Sequence, residues 1–384
     1  MFKPYNRMKV LFIVQGEGRG HLTQALTMEA MLRSNGHEVV EALVGKSGAR
    51  KLPSFFTNGM KAPVKMFDSP NFLPTPANKR NSLTRSAAYN IAKTPVYLKS
   101  IGFIRRRIED SKADLVVNFY ELLTGLTYLL FRPSTPQVSI GHQYLFLHHG
   151  FKFPKGSPIS LFFLKMFTRI TCIGAQNMLA LSFHDMPDDD RARVKVVPPL
   201  LRREVFGCKP TNGDYLHGYM VNSGFGVSIR EWHKANPDVA LQFFWDKKGC
   251  GDVYKVDNKL SFHYINDHAF LQSLAGCKGY ATTAGFESVC EAMYLGKPVM
   301  MVPAHIEQDC NAFDASRCGA GIVCNDFNLS NLLGFVNEFK PNPDFRSWVA
   351  RCPLRVMSQL EKCASEMPEH HLSLSSISEM FSFS

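Results

Sequence analysis

A short apolar run that stops at glycine, then a helix, then another apolar run, occurs in both halves of this 384-residue chain. In the first half, Lys9–Val14 (KVLFIV) reads as a strand ending at Gly16. The loop QGEGRGH follows. Apolar residues then recur at Leu22, Leu26, Ala30 and Met31–Leu32, a helical spacing closed by the stop signal Asn35–Gly36. His37–Gly45 is the next strand. Strand, glycine loop, helix and strand make a βαβ unit, which implies a parallel sheet. Further strands are expected at Asp114–Asn118, Gln137–Gly141, Ile170–Ile173 and Arg193–Pro199. The same order restarts at Tyr219–Asn222, with a Ser-Gly-Phe-Gly loop and a helix through Arg230–Ala235. Strands at Leu241–Trp245 and Leu260–Tyr264, a helix at His268–Ala275 and a strand at Gly279–Ala281 follow.

The architecture implied is α/β: two Rossmann-like, doubly wound parallel-sheet domains facing a cleft, with ligands beyond the carboxyl ends of the strands. The prolines of RVKVVPP place the boundary near residue 200. Residues 1–200 form the first domain and 201–345 the second. Residues 346–384 are a helix and a Ser-rich tail with room to pack back on the first domain. The tail reads as frayed, or as a weak docking segment.

Composition narrows the setting. At 45% hydrophobic there is material for two cores, yet no run reaches the roughly 20 apolar residues of a membrane span. The start is not a secretory signal. Ten cysteines show no CxxC pair and no His/Cys cluster at zinc spacing, so reduced thiols in a cytoplasmic protein are expected. The net charge of +11 is uneven: nine Lys/Arg lie between Lys79 and Lys112, against Glu109 and Asp110. Such a segment suits nucleic acid, anionic lipid or an acidic substrate.

In QGEGRGH, Gly16, Gly18 and Gly20 alternate between strand and helix, where bare backbone can approach a ligand. A dinucleotide fold wants GxGxxG, and here the third glycine is out of step. His21 sits where the loop becomes the helix, facing the cleft. Its imidazole can take a proton from an attacking hydroxyl, or it can simply cap or pack. Glu121, just after a parallel strand, is the candidate to hold such a base, or an acid at a helix start satisfying the dipole. Asp114 points to the wrong end of that strand.

The stretch TTAGFESVCEAMYLGKPVMMVPAHIEQDCNA (282–312) carries the second set of groups. Thr283, Ala284 and Gly285 are small residues before a helix expected from about Phe286 to Leu295, so a nearly bare helix N-terminus faces the cleft and suits a diphosphate. Thr283 and Ser288 add hydroxyl donors. Glu287 and Glu291 share a helix face, and Glu291 can accept from a ribose diol. After a strand within Lys297–Pro303, Glu307 and Gln308 match sugar hydroxyls.

The pattern AGFESxxEAxxxGKPxxxxPxxxEQxxNA, with the upstream FLQSLAGC and the GxGRGH loop, resembles the nucleotide-sugar glycosyltransferases of GT-B fold. That group includes the UDP-glycosyltransferases and the peripheral-membrane transferase that makes lipid II. The resemblance runs from about Lys9 to Gly321. It implies that Asn222–Gly226, with Ser223 and Gly224, touches donor phosphates, and that His263–Asn266, with Tyr264 and Ile265, holds the base. It implies a diphosphate turn at Thr283–Ser288, a ribose ligand in Glu291, a sugar-binding pair in Glu307 and Gln308, and an acceptor base in His21. Gly18 and Gly20 join the donor-binding set. Three positions depart from the pattern. Thr283 stands where plant-type members carry histidine, Glu287 where they carry asparagine, and Phe119 where relatives with SDFEP carry aspartate.

The expected activity is inverting transfer of a sugar from a nucleotide sugar, a UDP-sugar, to an acceptor hydroxyl on a lipid, glycan or small aglycone. No cofactor and no metal is expected. Asp188–Asp190 mimics a metal-binding DxD but lies in a polar turn. The basic and apolar stretches 79–112 and 151–171 suit a peripheral site on an anionic membrane surface, or are solvated helices with core-facing apolar residues. An epimerase or a silent nucleotide-sugar sensor is the alternative on the same scaffold. A nucleic-acid binder would leave the polar groups of 282–312 unexplained.

Overall fold

The computed structural model describes residues 7–48, 51–71, 83–220, 222–247 and 249–366. Lys79, Arg80 and the Ser-rich tail from 367 onward lie outside these ranges. The first half runs β1 (Lys9–Gln15), α1 (Arg19–Ser34), β2 (Glu38–Lys46), α2 (Ser54–Gly59), β3 (Val64–Asp68), α3 (Leu83–Ala92), α4 (Thr94–Ser111) and β4 (Leu115–Phe119). It continues with α5 (Leu122–Phe131), β5 (Gln137–Gly141), a 3-10 turn at His142–Leu147, α6 (Pro158–Thr171), β6 (Ala175–Leu181) and β7 (Val194–Val197). These strands form one parallel sheet in the order β3-β2-β1-β4-β5-β6-β7.

The second half runs α7 (Arg203–Phe206), β8 (Leu216–Tyr219), α8 (Gly226–Ala235), β9 (Leu241–Trp245), β10 (Val253–Lys255), β11 (Leu260–Tyr264), α9 (Asp267–Gly276) and β12 (Gly279–Thr282). Then come α10 (Phe286–Tyr294), β13 (Val299–Met301), α11 (Ile306–Arg317), β14 (Gly321–Val323), α12 (Leu329–Val336), α13 (Phe345–Ala350) and α14 (Cys352–Ser365). The order is β10-β11-β9-β8-β12-β13-β14, parallel except for the antiparallel edge strand β10. Central strands such as LVVNF and GYAT are buried on both faces, as sheets covered by helices on both sides require.

Two strands fall elsewhere than the sequence suggests. Ile170–Ile173 ends α6 and its cap. The helix starts with Ser157 accepting from Ser160 N and with Pro158 in its first turn, and Gly174 in the left-handed region (φ 81°) lets the chain turn into β6. The second domain opens at Leu216–Tyr219, three residues before the apolar YMVN. His217 hides that strand in the sequence. Its ring is fully buried among Phe244, Phe270 and Tyr280, with Nδ1 2.9 Å from Ser273 Oγ. Gly218 is obligatory there because a Cβ would collide with the Phe243 ring.

The chain returns to the first domain at its end. Val356, Met357, Leu360 and Cys363 of α14 join the first domain's core, against β4 to β7. Trp348 Nε1 donates to Ser182 O at 2.9 Å, and Arg351 and Arg355 both reach Asp185.

A candidate active site between the two domains

α1 begins in the glycine loop. Gly16 N donates to Gly45 O at 2.7 Å, and a Cβ on Gly16 would lie 2.8 Å from that oxygen, so the loop hugs β2 through bare backbone. Gly18 is the extended residue before α1, and no side chain caps it. On Gly20 a Cβ would collide with the Glu287 carboxylate, which arrives from α10 of the other domain. The glycines of QGEGRGH therefore serve close approach, once by a strand and once by the second domain.

His21 is buried one residue further on. Its ring stacks on Tyr120 at 5.6 Å between centroids. Tyr120 occupies the left-handed region at φ 60°, a conformation that costs a non-glycine residue roughly 1–2 kcal/mol, and its hydroxyl lies 2.7 Å from Thr168 Oγ1. Burial lowers the His21 pKa, opposed by the nearby Glu307 carboxylate and by Gln24. The imidazole is thus neutral at neutral pH, the form that accepts a proton.

The group expected to hold His21 is a different one. Glu121 accepts from Ser69 Oγ at 2.7 Å and from Leu123 N at 3.1 Å, capping α5. It is fully buried, which raises its pKa to about 7. The expectation of a Glu121–His21 pair is corrected. His21 Nδ1 instead lies 3.2 Å from Gln24 Oε1, and Gln24 Nε2 donates to Glu287 Oε1. Sequence reasoning passed over Gln24, although residues three apart share a helix face.

Glu287, which shares a helix face with Glu291, points across the cleft to Gln24. Burial raises its pKa to about 7, with the Glu307 and Glu291 charges adding to the shift. Glu307 also meets the first domain, accepting from Gln143 Nε2 at 2.9 Å. Gln308 bonds inward: its Oε1 accepts from Ala304 N at 2.9 Å, fixing the turn between β13 and α11.

The turn before α10 is built as a small bare loop. Ala284 has φ 63°, a second left-handed non-glycine residue at the cleft. Asn311 Nδ2 donates to Ala284 O at 3.3 Å. Gly285 precedes the helix without side-chain capping, and Ser288 Oγ donates to Gly285 O at 3.2 Å. Thr283 is buried, and its hydroxyl has no partner among the described residues. The Phe286 side chain is taken up by the other domain. It stacks on His142 at 4.0 Å and packs against Phe183, both of the first domain.

Glu291 departs furthest from expectation. Both its oxygens accept from Arg202, at 2.6 and 3.0 Å. Arg202 also lies 3.5 Å from Asp267 Oδ1, and Arg19 grips both Asp267 oxygens at 2.8 Å. This alternating chain of charges runs from α1 to α10, and no spacing in the sequence announces it.

Other expected residues lie at the second domain's strand ends. Ser223 and Gly224 form a 3-10 turn before α8. Tyr264 is exposed and ends β11, and Ile265 N donates to Trp245 O at 2.9 Å. Asn266 caps α9. Asp188–Asp190 is a structural turn: Asp188 accepts from Val196 N, Asp189 from His149 N and Ala192 N, and Asp190 from Lys195.

Two polar sets, one at each domain's strand ends, thus close on a single site. Residues 8–340 match the profile of glycosyl transferase family 1. The chain belongs to that family. This glycosyltransferase has the GT-B fold, as its likeness to solved structures across nearly the whole chain bears out. LpCGTa in complex with UDP superposes with a TM-score of 0.60 at 16% identity, over 94% of this chain and 100% of that one. Medicago truncatula UGT71G1 complexed with UDP-glucose gives 0.60 at 14% identity, over 94% and 99%. Acinetobacter baumannii MurG gives 0.52 at 16% identity, over 93% and 100%. No curated protein matches the sequence.

Proposed function

We propose that this glycosyltransferase moves a sugar from a UDP-sugar to an acceptor hydroxyl, in one inverting displacement and without a metal. The observation that carries the reading is a buried His21, its pKa lowered by that burial, in the same cleft as Glu307 and the bare turn at Thr283–Ser288. The acceptor oxygen attacks the anomeric carbon, His21 Nε2 takes its proton, and the bond to the diphosphate breaks on the opposite face. A hydrogen on Nδ1 donates to Gln24 Oε1, which leaves Nε2 as the proton acceptor, and Gln24 is itself anchored on Glu287. The leaving diphosphate gathers charge against the backbone N–H groups of Gly285 to Ser288 and the Thr283 hydroxyl, an arrangement that favours the transition state electrostatically. Burial holds the Glu287 carboxyl at a pKa of about 7, so it is about half protonated at neutral pH and repels a diphosphate less than a full anion would. In this reading Glu307 and Gln308 recognise the sugar, and Glu291 recognises the ribose by exchanging Arg202 for the diol.

The donor assignment draws on two similar structures, solved with UDP and with UDP-glucose. A thermal-shift panel of UDP-, GDP- and dTDP-sugars tests it. A rise in Tm with UDP-sugars alone is expected; a rise confined to another nucleotide overturns it.

The acceptor side faces α4 to α6. Apolar residues Leu98, Ile159 and Phe163 are exposed there, among Lys99, Arg106, Lys152 and Lys155. Several other residues of the expected surface are engaged elsewhere. Tyr97, Ile101 and Ile104 are core, Arg105 pairs with Glu109, and Arg107 pairs with Glu41 and Asp110. No described helix is long and apolar enough to cross a membrane. We propose that this basic and apolar face rests on an anionic bilayer to reach a lipid-linked acceptor. Co-sedimentation with phosphatidylserine vesicles, falling as salt rises and absent with phosphatidylcholine, is the expected result. No sedimentation at low salt would sink the idea.

A further inference from the structure

Three side chains of metal-ligand type meet away from the cleft, where the loop after β6 touches the end of α11. His184 Nδ1 lies 3.1 Å from Cys318 Sγ. One ligand atom each from His184, Asp314 and Cys318 lies within 4.8 Å of the other two. Asp314 and Cys318 are four apart, so the last turn of α11 presents both on one face, and Cys318 N donates to Asp314 O at 3.1 Å. His184 comes from the other domain. Its N–H donates to Ser182 Oγ at 3.2 Å, and Trp348 grips Ser182 O, so the loop is fixed in place.

The carboxylate is the informative member. Asp314 is 1% exposed, and its Oδ2 has no hydrogen-bond partner among the described residues. Arg317 stands 3.8 Å from Oδ1, too far for a hydrogen bond, and burial pushes the carboxyl up to about 6. A buried, unsatisfied carboxylate is costly, and a cation removes that cost. The carbonyl end of α11 favours a cation too.

The donor set selects the ion. One nitrogen, one oxygen and one sulfur suit a borderline-soft divalent metal held tetrahedrally, with water in the fourth position. Bond lengths of about 2.0–2.3 Å separate such ligands by roughly 3.5 Å, within the spread observed here. We propose that His184, Asp314 and Cys318 bind Zn2+ or a similar thiophilic divalent cation, and so fasten the first domain's β6–β7 loop to helix α11 of the second. Glu307 stands at the other end of that helix, seven residues or about 10 Å along its axis. The ion takes no part in sugar transfer. It holds α11, with Glu307 and Gln308, in register with the first domain, and the Cys318 thiol proton leaves to solvent on binding.

The test uses the full chain, stripped with a chelator and titrated with Co2+ and then Zn2+. One Co2+ per chain should produce a thiolate-to-cobalt charge-transfer band that Zn2+ abolishes. Zn2+ should also raise Tm. Cys318→Ser should lose both signals, and Asp314→Asn and His184→Gln should bind at least about 10–100-fold more weakly. Far-ultraviolet circular dichroism confirms that each variant is folded. Absence of the band in the wild-type chain overturns the site. So does a band that survives Cys318→Ser, which would place the metal on another of the ten cysteines.

Discussion

His21→Ala lowers kcat by about 10²–10⁴-fold, the usual contribution of a positioned general base, while nucleotide affinity stays within a few-fold. The residue sits on the first domain, whereas the proposed diphosphate turn is built wholly from the second, so the variant separates chemistry from donor binding. The pH–rate profile supplies an independent check. His21 must be neutral to accept a proton, and burial lowers its pKa from 6.5. The wild-type kcat therefore stays flat as pH falls through 6.5 and declines only below it. The alanine variant loses that acid limb. Gln24→Ala keeps the base but frees its ring, so a smaller loss is expected, with the limb retained and shifted. Wild-type turnover by His21→Ala with donor binding intact would remove the base. A catalytically silent sensor would show no turnover in either protein.

Much of this site was legible because its groups are local in sequence. His21 follows its own glycine loop, and Thr283 to Gln308 fall within one turn–helix–strand–helix unit, so period and punctuation alone set them at strand ends. What escaped depends on pairs far apart in the chain. Gln24 with Glu287 is separated by 263 positions, Gln143 with Glu307 by 164, and Arg19 with Asp267 by 248. No spacing rule reaches that far. Glu121 takes the second of its two expected roles, an acid at a helix start, for a related reason. Its place after β4 is right for an orienting acid, but its carboxylate turns toward Ser69 and its own helix start, where two donors meet Oε1 and Oε2 is left without a partner among the described residues. The strand at Leu216 was missed because a buried histidine and a glycine read as polar punctuation. Only the surrounding aromatic rings and the Phe243 contact explain them. The three groups of the proposed cation site likewise meet only through the fold, since His184 and Asp314 lie 130 positions apart in sequence while Cys318 alone keeps helical spacing with Asp314.

Arg202→Ala destabilises the protein by about 3–5 kcal/mol, the range for removing one partner of a buried ion pair. The two side chains are 16% and 5% exposed, so solvent screens little of the interaction. Without Arg202, Glu291 remains in a site whose burial already raises its pKa, with no guanidinium to hold it down. The sign of the pH dependence follows. A carboxyl whose folded pKa lies above its unfolded value contributes stability below the unfolded pKa and loses it as pH rises through the folded one. The deficit of Arg202→Ala should therefore be largest near neutral pH and shrink as pH falls toward 4.5, the ordinary value for a glutamate. Urea midpoints measured across that range read it directly. Replacing both partners, Arg202→Met with Glu291→Leu, should recover most of the loss, because neither charge is then stranded. A deficit below about 1 kcal/mol at every pH would put the pair in the class of screened surface bridges. It would also free Glu291 to meet a ribose without first displacing a costly partner.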